Sequence, residues 1–299
     1  MLKSDKNTTL INLIHQVNQA LEQADVYFGH GTDNAWDEAV ALVLHALDLS
    51  FNEAHENQAR VLTSDEIKKV EALLTRRIHE KKPLAYLTQE AYFFGLPFYV
   101  DERVIIPRSP IAELIEKHFM PWVNPDKVTS ILDMCTGSAC IAIACAYAFE
   151  YARVDAIDID PDALEVAKIN IAKHKVEQQV NIIQSDLFEQ VPPHQYDIII
   201  SNPPYVSQDE MDVIPAEYLT EPHHALHAHD EGLALVERIL TKAPSYLSDE
   251  GILIVEVGNG RERLEARYPH LPFLWLEFEH GGQGVFLLEK SQLTQNVDR

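Results

Sequence analysis

Apolar residues recur at helical spacing in three stretches of the first hundred positions, residues 10–24, 36–47 and 64–79, each with a polar opposite face. Their starts carry capping residues: Asp33 or Asn34 before the second, and Thr63 with Glu66 at capping-box spacing before the third. The spacing predicts a small helical bundle over residues 1–88. From residue 91 to 106 the period shortens to alternating segments, AYFFG and PFYVDERVII, around Gly95, Leu96 and Pro97, which predicts a β-hairpin connector over residues 89–108. Pro107 ends it, and Ser109 with Pro110 is expected to open a helix reaching Phe119.

From Ser130 onward, short apolar runs alternate with amphipathic ones. Strands are predicted at 130–134, 154–158, 181–184, 196–201, 252–257, 274–278 and 284–288, and helices at 141–148, 161–174 and 232–246. That order implies an α/β domain over residues 109–299, a mostly parallel seven-stranded sheet with helices on both faces. The chain has no internal repeat or low-complexity segment.

Composition narrows the picture. The longest apolar run, residues 139–149, is too short for the ~20 residues that span a bilayer. The opening MLKSDKNTTL has no apolar core or cleavage site, so a cytoplasmic protein without a leader is expected. Cys135, Cys140 and Cys145 are odd in number and form no CxxC pair, which fits a reducing compartment. Charge is unevenly placed: residues 107–299 hold 14 Lys and Arg against 31 Asp and Glu, or −17 of the total −23. Between Lys175 and Arg238 there are 12 acids and no Lys or Arg, a composition that opposes a polyphosphate and favours a basic partner.

The first predicted strand of the sheet runs into a tight turn and then a helix, ILDMCTGSACIAIA, where Gly137 lets a ligand approach the backbone. Asp158 ends the second strand, 25 residues after Asp133, where a carboxylate can accept both hydroxyls of a ribose. Asp186 follows the third, placed with neighbouring backbone to accept from an adenine amino group. Each acid alone could cap a helix, as Asp160 before Pro161 is expected to do. Three in order resemble the class I S-adenosylmethionine-dependent methyltransferases (a Rossmann-like fold), and the likeness runs from Ser130 to the C-terminus. The turn reads Cys135, Thr136, Gly137, Ser138, Ala139, where those relatives usually end in glycine; a methyl at Ala139 is expected to narrow the approach to the amino acid end of the cofactor.

The fourth strand leads into Asn202, Pro203, Pro204 and Tyr205. An amide or aromatic amine nitrogen is a weak nucleophile because its lone pair is delocalised. The Asn202 side-chain carbonyl and the Pro203 backbone carbonyl can accept its hydrogens and draw it toward tetrahedral geometry. Pro204 adds rigidity, and Tyr205 offers a flat face for a planar acceptor. A strand-ending Pro-Pro turn is the bland reading, and the position after three cofactor strands argues against it. The motif fits adenine in nucleic acid as well as protein glutamine.

The N-terminal helices, PLAYLT at residues 83–88, FYVDERVIIPRSP, LDMCTGSACIA, SDLF at residues 185–188 and SNPPYV together resemble the bacterial protein N5-glutamine methyltransferases over nearly the whole chain. YFGHGTDN at residues 27–34 and the run Pro107, Arg108, Ser109, Pro110, Ile111 are similar to the branch acting on the third large-subunit ribosomal protein, whereas a PRPETE-like run follows the hairpin in the release-factor branch. The resemblance implies that Asp133, Cys135, Thr136, Gly137, Ser138, Ala139, Asp158, Asp186, Leu187 and Asn202 contact S-adenosylmethionine and that Asn202 to Tyr205 contact the glutamine. It also implies a helical domain that recognises a basic ribosomal protein, including one in an assembly intermediate; the charge argues against a DNA substrate, the short apolar runs against a membrane, and nothing in the expected chemistry needs a metal. Release-factor glutamine, nucleic-acid adenine, and a non-catalytic assembly factor with a site spoiled by Ala139 remain as alternatives. His223, His224, His227 and His229 read as a solvated loop rather than a zinc site. Lys68, Lys69, Arg76, Arg77, Lys81 and Lys82 read as an exposed face rather than an RNA contact.

Overall fold

Alternate residues along the central strands face opposite apolar layers, and the fold is built around that alternation. The computed structural model describes residue 2 and residues 7–294. Met1 and residues 3–6, part of the opening decapeptide on which the absence of a leader was read, lie outside the described residues, as do residues 295–299. By contact the chain divides into two units, Met1–Ala91 with Pro215–Thr220, and Tyr92–Ile214 with Glu221–Arg299.

The first unit contains α1 (Leu10–Gln23), α2 (Ala35–Leu47), α3 (Phe51–Glu56), α4 (Ser64–His79) and α5 (Leu84–Thr88). Leu10, Leu13, Val17 and Leu21 of α1 share one core with Ala39, Leu42 and Val43 of α2 and Ile67, Val70 and Leu74 of α4, at the helical spacing expected of them. Asn34 caps α2, and Thr63 and Glu66 form the expected capping box. Helix α3 has no apolar stripe and so escaped the periodicity, although Ser50 and Glu53 make a second capping box there.

Arg77 departs from its expected exposed face. It is 1% exposed, and its guanidinium donates to Glu38 at 2.6 Å, Glu217 at 3.2 Å and the Tyr27 carbonyl at 2.7 Å. Glu217 also accepts from the Tyr27 N–H at 2.8 Å. One buried cation thus pins both the segment before α2 and Pro215–Thr220.

The second unit begins within a hairpin of β1 (Glu90–Phe93) and β2 (Leu96–Tyr99), whose two loop residues, Phe94 and Gly95, both have positive φ. The division between units falls within β1. The second hairpin strand stops at Tyr99 and not at Ile106, because Asp101 accepts from the Arg103 N–H and closes a turn with Val104. Helix α6 (Ile111–Glu116) also ends earlier than Phe119; His118 and Phe119 adopt positive φ and turn the chain away.

The sheet comprises β3 (Ser130–Met134), β4 (Arg153–Asp158), β5 (Val180–Gln184), β6 (Tyr196–Ser201), β7 (Leu247–Glu256), β8 (Leu274–Trp275) and β9 (Val285–Glu289), interleaved with α7 (Cys140–Ala148), α8 (Pro161–His174), α9 (Gln208–Met211), α10 (His223–Leu226), α11 (Ala234–Lys242), α12 (Arg261–Arg267) and a final α13 (Lys290–Thr294). The helix expected over 232–246 is trimmed to α11 by a 3-10 turn at Ala243–Ser245, and β7 starts five residues before the expected 252. Strand order is β5-β4-β3-β6-β7-β9-β8, and β9 alone runs against its neighbours. Ile131, Ile198, Ile200, Ile252 and Ile254 face one layer; Leu132, Ile199, Leu253 and Val255 face the other. No helix among the described residues is long and apolar enough to cross a membrane.

The chain winds outward from β3 to β5 and then crosses back to β6, so the sheet reverses direction of growth between β3 and β6. Their carboxyl ends lie side by side, with Met134 in register with Ser201 and the Ser201 hydroxyl donating to the Met134 carbonyl at 3.0 Å. A crevice at such a reversal is where open sheets of this kind bind ligands.

Glu217→Ala leaves the Arg77 charge buried with one carboxylate fewer. Breaking a buried pair from one side costs about 3–5 kcal/mol, so urea unfolding is expected to show a loss of this order in the first unit. A loss below about 1 kcal/mol, the scale of an exposed pair, would show that Arg77 does not hold Pro215–Thr220.

Candidate active site at the strand ends

Beyond β3 the chain turns through Cys135, Thr136, Gly137, Ser138 and Ala139 into α7, with positive φ at Cys135 (58°), Gly137 (54°) and Ala139 (63°). Two of these three are not glycine, and each costs of order 1–3 kcal/mol. Buried carboxylates hold the turn in place. Asp133, fully buried, accepts from the Thr136 hydroxyl at 2.5 Å and the Ala142 N–H at 3.1 Å, both on Oδ2. Burial pushes its carboxyl up to about 7, against those two hydrogen bonds. Asp158, at the end of β4, accepts from the Gly137 N–H at 2.9 Å on one oxygen and from the Asp160 N–H at 3.0 Å on the other. Burial raises its pKa too, and the same two N–H groups oppose that.

Asp160 caps α8 as expected, accepting from the Asp162 N–H, and its other oxygen lies 2.8 Å from His224 Nε2. After β5, Ser185 donates to the Leu187 carbonyl at 2.5 Å and fixes Leu187 at φ 50°. The Asp186 carboxylate pairs with Arg238 at 2.8 Å. Arg238 is the first cation after the long acidic interval, and the fold returns it to an acid within that interval.

After β6, the Tyr205 hydroxyl donates to Glu256 Oε1 at 2.8 Å, while Ser109 donates to Glu256 Oε2 at 2.6 Å. Glu256 is the last residue of β7 and only 6% exposed. Gly258 has φ +50°, and a Cβ there would lie 2.5 Å from Tyr205 Cε2, so the tyrosine ring occupies the space that glycine leaves. Arg108 holds Glu221 with two parallel bonds, 2.6 and 2.8 Å. Sequence reasoning missed Glu256, Glu221 and Arg238. The signal for Glu256 was present as a lone acid in the apolar run ILIVEV; Glu221 and Arg238 have none.

These strand ends open onto one cavity of about 160 Å³, lined by Cys135, Gly137, Ile157, Asp158, Asp186, Leu187, Asn202, Pro204, His224 and Leu235, among others. The turn at Gly137 presents open space: a Cβ built there meets nothing within 4 Å. Asp158 keeps lone pairs beyond the two it uses, enough for two further donors. Asp133, Thr136, Ser138, Ala139, Pro203 and Tyr205 do not line the cavity. Ala139 is fully buried within the apolar layer, so its methyl does not narrow the cavity as expected. Of the four histidines only His224 reaches the cavity, and no metal-binding group of three His, Cys, Asp or Glu occurs among the described residues. A wider cleft of about 320 Å³, with Trp122, Lys127, Asp197 and Glu250, lies at the amino ends of β3 and β6, the wrong end for a ligand in such a sheet.

Residues 116–227 match a family model described as methyltransferase small domain, and residues 12–88 one described as PrmC N-terminal domain. A protein of Francisella tularensis subsp. tularensis named ribosomal protein uL3 glutamine methyltransferase is 44% identical over 306 aligned residues, covering 100% of this chain and 98% of that one. A protein of Bordetella pertussis with the same name is 47% identical over 287, covering 95% and 96%. Among solved structures, the hMettl16 catalytic domain in complex with MAT2A 3'UTR hairpin 6 covers 77% of this chain and 84% of that one, at 16% identity and a TM-score of 0.50, a likeness of fold.

An unfolded aspartate titrates near 4, and Asp133 in the folded chain at about 7. Between these values the folded state keeps a proton the unfolded state has lost, so Asp133's contribution to stability falls as pH rises and levels off above about 7. Asp133→Asn removes the titration. Unfolding free energies from urea denaturation, wild type minus variant, are expected to decline from about pH 5 to about 7 and then flatten; a difference independent of pH would mean that Asp133 is ionised throughout.

Proposed function

The chain belongs to the family of ribosomal protein uL3 glutamine methyltransferases, and from that premise we propose that it transfers a methyl group from S-adenosylmethionine to the side-chain amide nitrogen, N5, of a glutamine in the third large-subunit ribosomal protein. Its fold is that of the class I methyltransferases, a mostly parallel seven-stranded sheet with helices on both faces. The observation that carries the reading is the opening of the ends of β3, β4, β5 and β6 onto one cavity, with Asn202, Asp158 and Asp186 all in its lining.

S-adenosylmethionine, when bound, supplies an electrophilic methyl group on a sulfonium. In our reading the turn from Cys135 to Ala139, with Asp133 behind it, holds the amino acid end; Asp158 accepts from the ribose hydroxyls; and Asp186 with Leu187 receives the adenine. Asn202 Oδ1 and the Pro203 carbonyl accept the two amide hydrogens of the glutamine, which weakens the conjugation of its lone pair. Pro203 and Pro204 fix the backbone that carries those carbonyls, since each proline sets φ and holds its predecessor extended. Tyr205 packs its ring against the planar amide. No general base is assigned, because an N-methylated amide cation is acidic enough to lose its proton to water.

We assign recognition of uL3 to residues 1–88, with 89–108 as connector and 109–299 as the methyltransferase domain. The reaction is placed in the cytoplasm, on free uL3 or an assembly intermediate, and not on DNA.

Incubation with uL3 and S-adenosylmethionine is expected to add one methyl group to one glutamine, read by intact mass and peptide fragmentation. Asn202→Ala is expected to lower kcat by about a hundredfold or more, the scale of removing a preorganised group that acts on the reacting centre. Methylation of a release factor in place of uL3, or no mass change on any basic ribosomal protein, would overturn the assignment.

A further inference from the structure

Glu256 takes no part in the transfer described above, yet it is a buried carboxylate at the carboxyl end of the strand adjoining β6, with both oxygens committed to hydroxyls. Ser109 Oγ accepts from the Ile111 N–H at 3.3 Å, in the first turn of α6, and that bond directs the serine proton to Glu256. The backbone that carries Ser109 is anchored as well: its neighbour Arg108 is bonded to buried Glu221 at 2.6 and 2.8 Å, and Glu221 also accepts from the Ile106 N–H at 2.9 Å. On the other side the Tyr205 ring lies against Gly258, whose missing side chain leaves it room. A carboxylate out of water is stable only with its lone pairs satisfied, so each hydroxyl keeps Glu256 in the position that serves the other.

We propose that Ser109 and Glu256 are positioning residues that tether the Tyr205 hydroxyl and so fix the ring against which the acceptor amide packs. This rests on the role given to Tyr205 in the proposed function. The tether fixes the position of the phenol oxygen at 2.8 Å from Glu256 Oε1 and so limits the swing of the whole side chain. Loss of the tether therefore lowers the fraction of bound substrate in attacking geometry and acts on kcat rather than on binding. Neither residue touches the cavity that receives the cofactor.

The test is a mutant cycle on the full-length enzyme with uL3. Ser109→Ala and Tyr205→Phe are each expected to lower kcat about tenfold, the worth of one positioned hydrogen bond, with KM for uL3 and calorimetric affinity for S-adenosylmethionine unchanged. Ser109→Thr, which keeps the hydroxyl, restores the rate. The double variant loses no more than Tyr205→Phe alone, because the tether is already cut. A second readout does not depend on activity: with tyrosine labelled at Cζ, the Tyr205 NMR signal, which reports the hydrogen bond of its hydroxyl, is expected to keep its shift in Ser109→Thr and to move in Ser109→Ala and Glu256→Gln. Losses that add in the double variant, or a Tyr205 Cζ shift that is the same in all these variants, would overturn the tether. A Tyr205 signal that moves in Ser109→Ala and Glu256→Gln, in an enzyme that methylates no glutamine of uL3, would overturn the proposed function and leave the tether standing.

Discussion

Burying a carboxylate is costly without hydrogen-bond donors, and the upper edge of this sheet is organised by that cost. Asp133 and Asp158 gather the turn after β3, Glu256 gathers Tyr205 and Ser109, and Glu221 gathers Arg108 and the Ile106 N–H. Each acid is anchored on or beside regular structure, and each draws in a loop with little regular structure of its own. The strained φ values at Cys135, Ala139 and Leu187 persist because such contacts over-determine the turns. The loops at the strand ends are therefore located by acids bonded at short range, while the apolar layers on either side of the sheet supply the rigid base.

The periodicity of the sequence carried most of the fold, because strands buried on both faces and helices with one apolar stripe write their environment into their residues. Seven strands fall within a few positions of expectation, and Asn34, Thr63, Glu66 and Asp160 cap where local chemistry requires. Errors arose where a side chain overruled the pattern. VDERVII alternates like a strand, but Asp101 captures the N–H of Arg103 and bends it. Helix α3 has only Ala54 to bury, so its capping box was the one available sign. In the site, the residues that belong to local motifs were legible. Glu221 and Arg238 were not, because their partners lie 113 and 52 residues away and no local pattern encodes a distant bond.

The acidic interval between Lys175 and Arg238 illustrates the limit of linear charge. Along the sequence it has 12 acids and no Lys or Arg. In the fold, cations from outside the interval return to it: Arg77 to Glu217, Arg108 to Glu221, Arg238 to Asp186, Arg263 to Glu210, and Arg267 to Asp230 and Glu237. Half of those acids are thereby paired within the protein, and the negative field presented to a partner is smaller than the sequence suggests. The charge argument against a nucleic-acid substrate is weakened accordingly, and the case for a ribosomal protein rests on the near-full-length relatives.

The run Pro107 to Ile111, which in the sequence served only to mark a branch, acquires a physical role in the fold. Arg108 and Ser109 point to different buried acids, one in the segment after the tetrapeptide and one on β7, so two adjacent residues connect three separate parts of the second unit. The same edge needs small residues where these parts meet. Gly258 leaves space for the Tyr205 ring, and Gly284, at φ +73°, lets its backbone pass against the Gly258 carbonyl, where any Cβ would overlap it. Polar tethers and glycine contacts depend on one another here, because the hydrogen bonds to Glu256 reach only if the backbones can close to that distance. A side chain added at Gly258 would push on the ring that Glu256 holds, and the proposed acceptor half of the site would be disturbed while the turn after β3, held separately by Asp133 and Asp158, kept its shape.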